Sequence, residues 1–258
     1  MVVKTIVVYT GKGGVGKTTT STSLAYILAN YHEKKVLLVD LDAQGNASQT
    51  YGVFDAESGR NVSELFERTL HNEICDVHSY IVKSQYGVDI ISSNMYLMRT
   101  NGMLLANDEY NQHDVMQRIL SQVESEYDYC ICDCGLLLDM VVENAIMTAD
   151  LIISPIKIGG YELASLDELI FQRDEFLKIR SYVSVKPLIT MFQKNKTALK
   201  IKDALMQEYA GDIFESYARN SAVVVKSTFG DGPIPFVSKN GIASKDYRAI
   251  ADELLEVV

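Results

Sequence analysis

The sequence predicts an α/β fold, doubly wound around a mostly parallel sheet of about seven or eight strands. Three observations carry that prediction. Short apolar, β-branched runs alternate with longer stretches at helical spacing along the chain. The short runs are apolar throughout, as in strands buried on both faces. A glycine-rich turn joins the first run to the first helical stretch.

Taken in order, Val2–Tyr9 reads as a buried strand and Lys17–Tyr31 as a helix with Leu24, Ile27 and Leu28 on one side. Val36–Val39 is the next strand. Val62–Leu70 is a short helix with Ser63 as its expected cap. Val88–Ile91 reads as a strand, Asp114–Glu126 as a helix, and Tyr129–Cys132 as a strand ending in Asp133. Helix Met140–Thr148 leads into strand Leu151–Ile156, and the long amphipathic helix Glu162–Ile179 into strand Val185–Met191. Thr197–Tyr209 and Ser244–Val257 complete the helices. Ser92–His113 shows no legible pattern. With no internal repeat, no low-complexity tract and only four Pro, one continuous domain over residues 1–258 is expected.

The 258 residues are 47% apolar and 22% charged, an ordinary globular balance. A net charge of −10 excludes binding to nucleic acid or anionic membrane through bulk charge, so such contact needs a local basic patch. Cys130, Cys132 and Cys134 alternate along one strand, about 6.6 Å apart with parallel side chains, a poor geometry for bridging. They read as packed small hydrophobes in a reducing, cytoplasmic compartment. The N-terminal run lacks a signal peptide's cleavage region, and no apolar run is long enough to span a membrane.

Gly11-Lys12-Gly13-Gly14-Val15-Gly16-Lys17-Thr18 satisfies G-x-x-x-x-G-K-[ST] between a strand and a helix. Its glycines let backbone N–H groups approach phosphate oxygens, and the helix beginning near Lys17 adds its positive end. Lys17 can reach the β- and γ-phosphates, and the Thr18 hydroxyl can ligate Mg²⁺. Lys12 is a second lysine that a generic phosphate loop does not require.

Lys12-Gly13-Gly14-Val15-Gly16-Lys17-Thr18-Thr19 resembles the deviant Walker A motif of the ParA/MinD ATPases. Asp40-Leu41-Asp42-Ala43-Gln44-Gly45-Asn46 resembles the D-x-D-P-Q-G-N segment of the ParA branch. Tyr127–Asp133 is similar to that branch's Walker B strand, and Asn144-Ala145 and Ala149–Pro155 fall in register. The resemblance covers essentially the whole chain. It is nearest to the small ParA (Soj-like) partition ATPases and implies the P-loop NTPase type of sheet.

The resemblance also implies a site. Residues 11–19 would bind ATP; the motif alone does not separate ATP from GTP. Lys12 would cross to the partner's phosphates in an ATP-bound homodimer and stabilise charge on the transferring group. Asp42 would orient the attacking water. Asp133 would hold Mg²⁺, with Asp40 in a supporting role near the metal. Arg219, in Ala218-Arg219-Asn220, stands where many members place Pro-Arg-Asn beside the adenine. Two departures stand out: Ala43 replaces a proline after Asp42, and Gly135-Leu136 replaces two prolines in the switch region.

Residues 176–202 carry Lys178, Arg180, Lys186, Lys194, Lys196, Lys200 and Lys202 and no acidic residue, +7 in a chain of −10, hence −17 elsewhere. Lys194, Lys196, Lys200 and Lys202 could converge on non-specific DNA; a solvated basic face is the alternative. The four histidines lack zinc spacing. Cysteines at an iron protein's cluster positions are missing, since position 136 is Leu. The acidic C-terminus lacks the basic amphipathic tail of a membrane anchor. There is no room before Lys4 for a helix-turn-helix domain. The expected function is a slow, Mg²⁺-dependent ATPase, nucleoid-associated through DNA. A ParB-like partner would stimulate it to release DNA during partition or cargo positioning. The alternatives are a weakly hydrolysing localisation scaffold and a MinD-like positioning regulator.

Overall fold

The computed structural model describes residues 2–158, 173–226 and 231–258. Seven strands form one sheet in the order β3-β4-β2-β5-β1-β6-β7. They are β1 (Lys4–Val8), β2 (Val36–Leu41), β3 (Ile81–Lys83), β4 (Asp89–Ile91), β5 (Tyr129–Cys134), β6 (Leu151–Lys157) and β7 (Ser184–Thr190). All neighbours run parallel except β3, which pairs antiparallel to β4 at the edge.

The pleat divides the core in two. Val7, Leu37, Val39, Cys130, Cys132 and Cys134 face one way, toward helices α3 (Val62–Leu70), α4 (Leu97–Ala106), α5 (Val115–Ser121) and α6 (Met140–Thr148). The three cysteines are therefore packed as buried apolar side chains, and they are not bridged. Ile6, Val8, Leu38, Ile131 and Ile153 face the other way. There α1 (Lys17–Tyr31) lies between the sheet and the C-terminal helix α10 (Ile242–Val257), so Thr20–Ala25, Ile27 and Leu28 are all buried. A third cluster, with Ile189, Phe192, Ala198 and Leu205, seats α7 (Lys196–Glu208) beyond β7.

Several expectations need correction. α3 is capped by Asn61, not Ser63: the Asn61 carboxamide oxygen accepts from the backbone N–H of Ser63 at 2.8 Å and of Glu64 at 3.2 Å. The Ser63 hydroxyl pairs instead with Thr100 at 2.5 Å. The helix expected over Asp114–Glu126 stops at Ser121. Bonds from Gln122, Val123 and Glu126 to the carbonyls three residues earlier tighten the chain into turns before β5. The segment Ser92–His113 contains α4. Short helix α2 (Asn46–Thr50) and strand β3 were not foreseen. Of the helix expected over Glu162–Ile179, residues 173–179 are helical and 159–172 lie outside the described residues. Two further short helices, α8 (Val223–Lys226) and α9 (Ile234–Val237), precede α10. No helix among the described residues is long and apolar enough to cross a membrane.

Candidate nucleotide site

A cleft of about 390 Å³ opens at the carboxyl ends of the central strands, where β1 runs into α1. Gly13–Thr19 form one wall, and Asp42, Asn46, Gln49 and Thr50 face them from the turn after β2 and from α2. Gly14 and Gly16 adopt φ of 68° and 88°, a region that favours glycine, and Gly16 caps α1. The turn is held from outside: the Thr190 hydroxyl, buried at the end of β7, donates to the Val15 carbonyl at 2.6 Å. Next to it Met191 takes φ of 51°, unusual for a side-chain-bearing residue, and lines the cleft.

Lys17 donates from Nζ to the carbonyls of Thr10 at 3.2 Å and Lys12 at 3.0 Å. Burial lowers its pKa, against the opposing pull of the Asp133 and Asp42 carboxylates. The ammonium thus sits under the loop, where a phosphate oxygen could replace the carbonyls. Gly11 is exposed and Lys12 half-buried at the loop's entrance.

Asp40 and Asp133 are register partners on β2 and β5, side by side and fully buried. Burial raises the pKa of Asp133, and the neighbouring Asp40 carboxylate raises it further. Asp133 Oδ1 accepts from the Ser21 hydroxyl at 2.5 Å, while Oδ2 is buried with no hydrogen-bond partner. An orphaned carboxylate oxygen behind Thr18 is the arrangement a divalent cation or its bound water would satisfy. Thr18 and Asp133 therefore fit Mg²⁺. Asp40 is engaged differently. Its Oδ2 accepts both the Ser48 N–H at 2.8 Å and the Ser48 hydroxyl at 2.7 Å, and its Oδ1 accepts the Asp42 N–H at 3.2 Å. It is not on the cleft wall.

Asp42 does line the cleft, half-buried, with Oδ1 accepting the Gln44 N–H at 2.9 Å. Gly135 packs beside it, where a Cβ would stand 3.8 Å from the Asp42 carboxyl carbon. Leu136 lines the cleft too, and it begins an exposed apolar run, Leu136–Leu138.

A second cavity of about 160 Å³ shares Gly16, Thr19, Met191 and Val224 with the first and extends to Ala218–Ser221. Arg219 lines it, but its guanidinium is bound by Asp246 on α10, with Nε at 2.9 Å and a terminal nitrogen at 2.5 Å from the carboxylate. The Arg219 N–H also donates to Asp246, at 2.9 Å. The pair fixes the backbone of the cavity wall. Tyr247, the next residue, meets the Thr20 hydroxyl at 3.2 Å, so α10 braces both the wall and α1.

The basic segment is less uniform than its sequence. Lys194, Lys196 and Lys200 are exposed around the N-terminus of α7. Lys202 is not part of that face: only 18% of its side chain is exposed, it pairs with Asp203 at 3.0 Å, and it lies over the Tyr217 ring. Lys178 pairs with Glu175, Lys186 donates to the Gly211 carbonyl, and Arg180 donates to the Met147 carbonyl. Thr190, Ser48 and Asp246 went unnoticed in the sequence because their partners are fixed only by the fold.

A family model described as an AAA domain (AAA_31) matches residues 3–183. A ParA family protein of Chlamydia muridarum is 27% identical over 255 residues, covering 98% of this chain and 97% of that protein. Among solved structures, a putative plasmid partition protein from Borrelia burgdorferi bound to AMPPNP superposes with a TM-score of 0.80 at 22% identity, covering 99% of this chain and 100% of that one. Cobyrinic acid a,c-diamide synthase from Mycobacterium smegmatis, with an ATP analogue and magnesium, gives 0.76 at 21% identity, covering 99% and 95%.

Proposed function

The chain belongs to the AAA-domain family of ParA-type ATPases, and from that premise we propose that it is a Mg²⁺-dependent ATP hydrolase whose ATP-bound homodimer holds non-specific DNA. The single observation that carries this reading is the cleft in which Lys17 and Thr18 face Asp42. Structural neighbours bound to an ATP analogue support ATP as the ligand, and one of them also holds magnesium. Residues 1–258 would act as one domain.

In this reading Gly11–Thr19 cradle the phosphates with backbone N–H groups, and Lys17 exchanges its two carbonyl partners for phosphate oxygens. Mg²⁺ would supply charge neutralisation across the phosphates, held by Thr18 and Asp133. Asp42 accepts a hydrogen bond from the attacking water and aims it at the γ-phosphorus. Lys12 of one protomer reaches the partner's phosphates, adding a cation that only assembly provides. The base enters the second cavity against the wall that Arg219 and Asp246 brace.

DNA contact is assigned to Lys194, Lys196 and Lys200, which are exposed at and near the start of α7. A ParB-like partner would stimulate hydrolysis and so release the DNA, the switch by which DNA or another cargo is partitioned. That cycle places the protein on the nucleoid in the cytoplasm. Gly135-Leu136, where the resemblance leads one to expect two prolines, favours a second reading: an ATP-held localisation scaffold that hydrolyses weakly. Steady-state turnover of wild type and Lys17→Ala, without and with DNA, tests the enzyme assignment. The variant is expected to be inactive; wild-type-like turnover would remove Lys17 from the chemistry.

A further inference from the structure

Asp40 is a fully buried carboxylate two residues before Asp42, and the proposed chemistry gives it no task. Its hydrogen bonds do. Oδ1 accepts the Asp42 N–H, and Oδ2 accepts the N–H and the hydroxyl of Ser48. The Ser48 hydroxyl in turn accepts the Ser93 N–H at 3.0 Å, from the chain just beyond β4. One carboxylate thus ties the backbone of Asp42 to α2, and α2 to the neighbouring strand's end.

The other side of the turn is equally closed. Gly45, with φ of 63°, caps α2, and a Cβ there would meet the Phe54 ring at 2.5 Å and the Ser93 carbonyl at 2.9 Å. Ser48 is fully buried on the inner face of α2, while Asn46, Gln49 and Thr50 line the cleft. The loop therefore has one inward anchor, Asp40, and one outward product, the placement of Asp42 and α2 against the phosphate loop.

We infer that Asp40 is a positioning residue, not a metal ligand: through Ser48 and the Asp42 N–H it fixes the Asp42 turn and α2 at the cleft. The catalytic half of this inference rests on the assignment of the attacking water to Asp42; the structural half does not. Both Asp40 oxygens already hold backbone or hydroxyl donors. Asp133 beside it keeps an unpartnered oxygen. The two buried carboxylates thus have different work, one toward the chain and one toward the cation.

The test uses the whole protein with Asp40→Asn, Ser48→Ala and Asp42→Ala. Amide exchange at Asp42 and Ser48, read by NMR without nucleotide, is expected to speed up about tenfold or more in the first two variants. Exchange in α1 is expected to stay at the wild-type rate. Turnover in both is expected to fall about 10- to 100-fold with the half-saturating Mg²⁺ concentration unchanged. Ser48→Ala removes a single buried hydroxyl and keeps every charge, so it carries the test if Asp40→Asn does not fold. Unchanged exchange at both amides would overturn the inference. So would a raised Mg²⁺ requirement in Asp40→Asn beside a wild-type-like Ser48→Ala, because that is the behaviour of a ligand. Turnover retained in Asp42→Ala would overturn only the role given to Asp42, and the exchange rates would still decide the positioning.

Discussion

The hydroxyl of Thr190 donates to the carbonyl of Val15 at 2.6 Å across 175 residues of sequence. The last residue of β7 thereby sets the orientation of a peptide in the phosphate loop. The same hydroxyl lies 3.1 Å from the Ile156 carbonyl, so β6, β7 and the loop meet at one atom. Thr190→Val keeps the shape and removes the bond. Affinity for a fluorescent ATP analogue is expected to drop about threefold to tenfold, the range for a single buried hydrogen bond. An unchanged dissociation constant would show that the loop holds its shape without β7.

Asn61 gives a prediction about stability alone. Its side chain satisfies two of the N–H groups that α3 leaves without partners. Asn61→Ala is expected to cost about 1 kcal/mol in denaturant unfolding. Ser63→Ala is expected to leave the helix start intact and to act only through Thr100. The reverse ranking in helix stability would return the cap to Ser63.

These two sites show what was legible. The strand–glycine turn–helix of residues 2–31 was, because its signals are local: glycines, a lysine and an apolar run in fixed order. Asp133 could be placed for the same reason, at the end of an apolar strand. Asn61 and Ser63 both suit a cap, and only the extended backbone at Asn61 and the pull of Thr100 on Ser63 separate them. Helix α4 was hidden because it has Gly102 in its interior and buries Thr100 between Leu97 and Leu104, which dilutes the apolar period. Strand β3 has three residues and an exposed outer face, too short to carry a pattern. The partner of Asp40 was not legible, because alternation along β2 gives the direction of a carboxylate but not what it meets, and Ser48 arrives only when α2 folds back. The pairing of Lys202 was not legible in the basic segment, because its partner, Asp203, is the first residue beyond it.

The lysines at the start of α7 predict a salt dependence. If Lys194, Lys196 and Lys200 each meet a phosphate, the slope of log affinity against log salt carries about −3 per protomer from them. Replacing all three by alanine is expected to remove that share, while Lys202→Ala is expected to change the slope little. A slope unaltered by the triple replacement would leave this face as solvated surface.

His78 predicts a pH effect. Its ring nitrogens stand 2.7 Å from Asp76 and 2.7 Å from Glu126, joining the 3₁₀ turn Val77–Tyr80 to the turns after α5. The Glu126 hydrogen bond, and then that of Asp76, raise its pKa above the ordinary value near 6.5. A pKa raised on folding stabilises the fold fully below the unfolded value and loses that contribution as pH rises through the folded value. Wild type is therefore expected to exceed His78→Ala in denaturant midpoint at about pH 5.5 and to match it by about pH 9. A difference that grows with pH would contradict the assigned ion pairs.

The ATP-dependent hold on DNA is tested most directly by retention on non-specific duplex DNA with ATP, with ADP and without nucleotide, across a salt series, for wild type and Lys12→Ala. Retention is expected with ATP alone, falling steeply with salt and lost in Lys12→Ala. Equal retention in all three nucleotide states, or a Lys12→Ala protein that binds like wild type, would contradict that expectation.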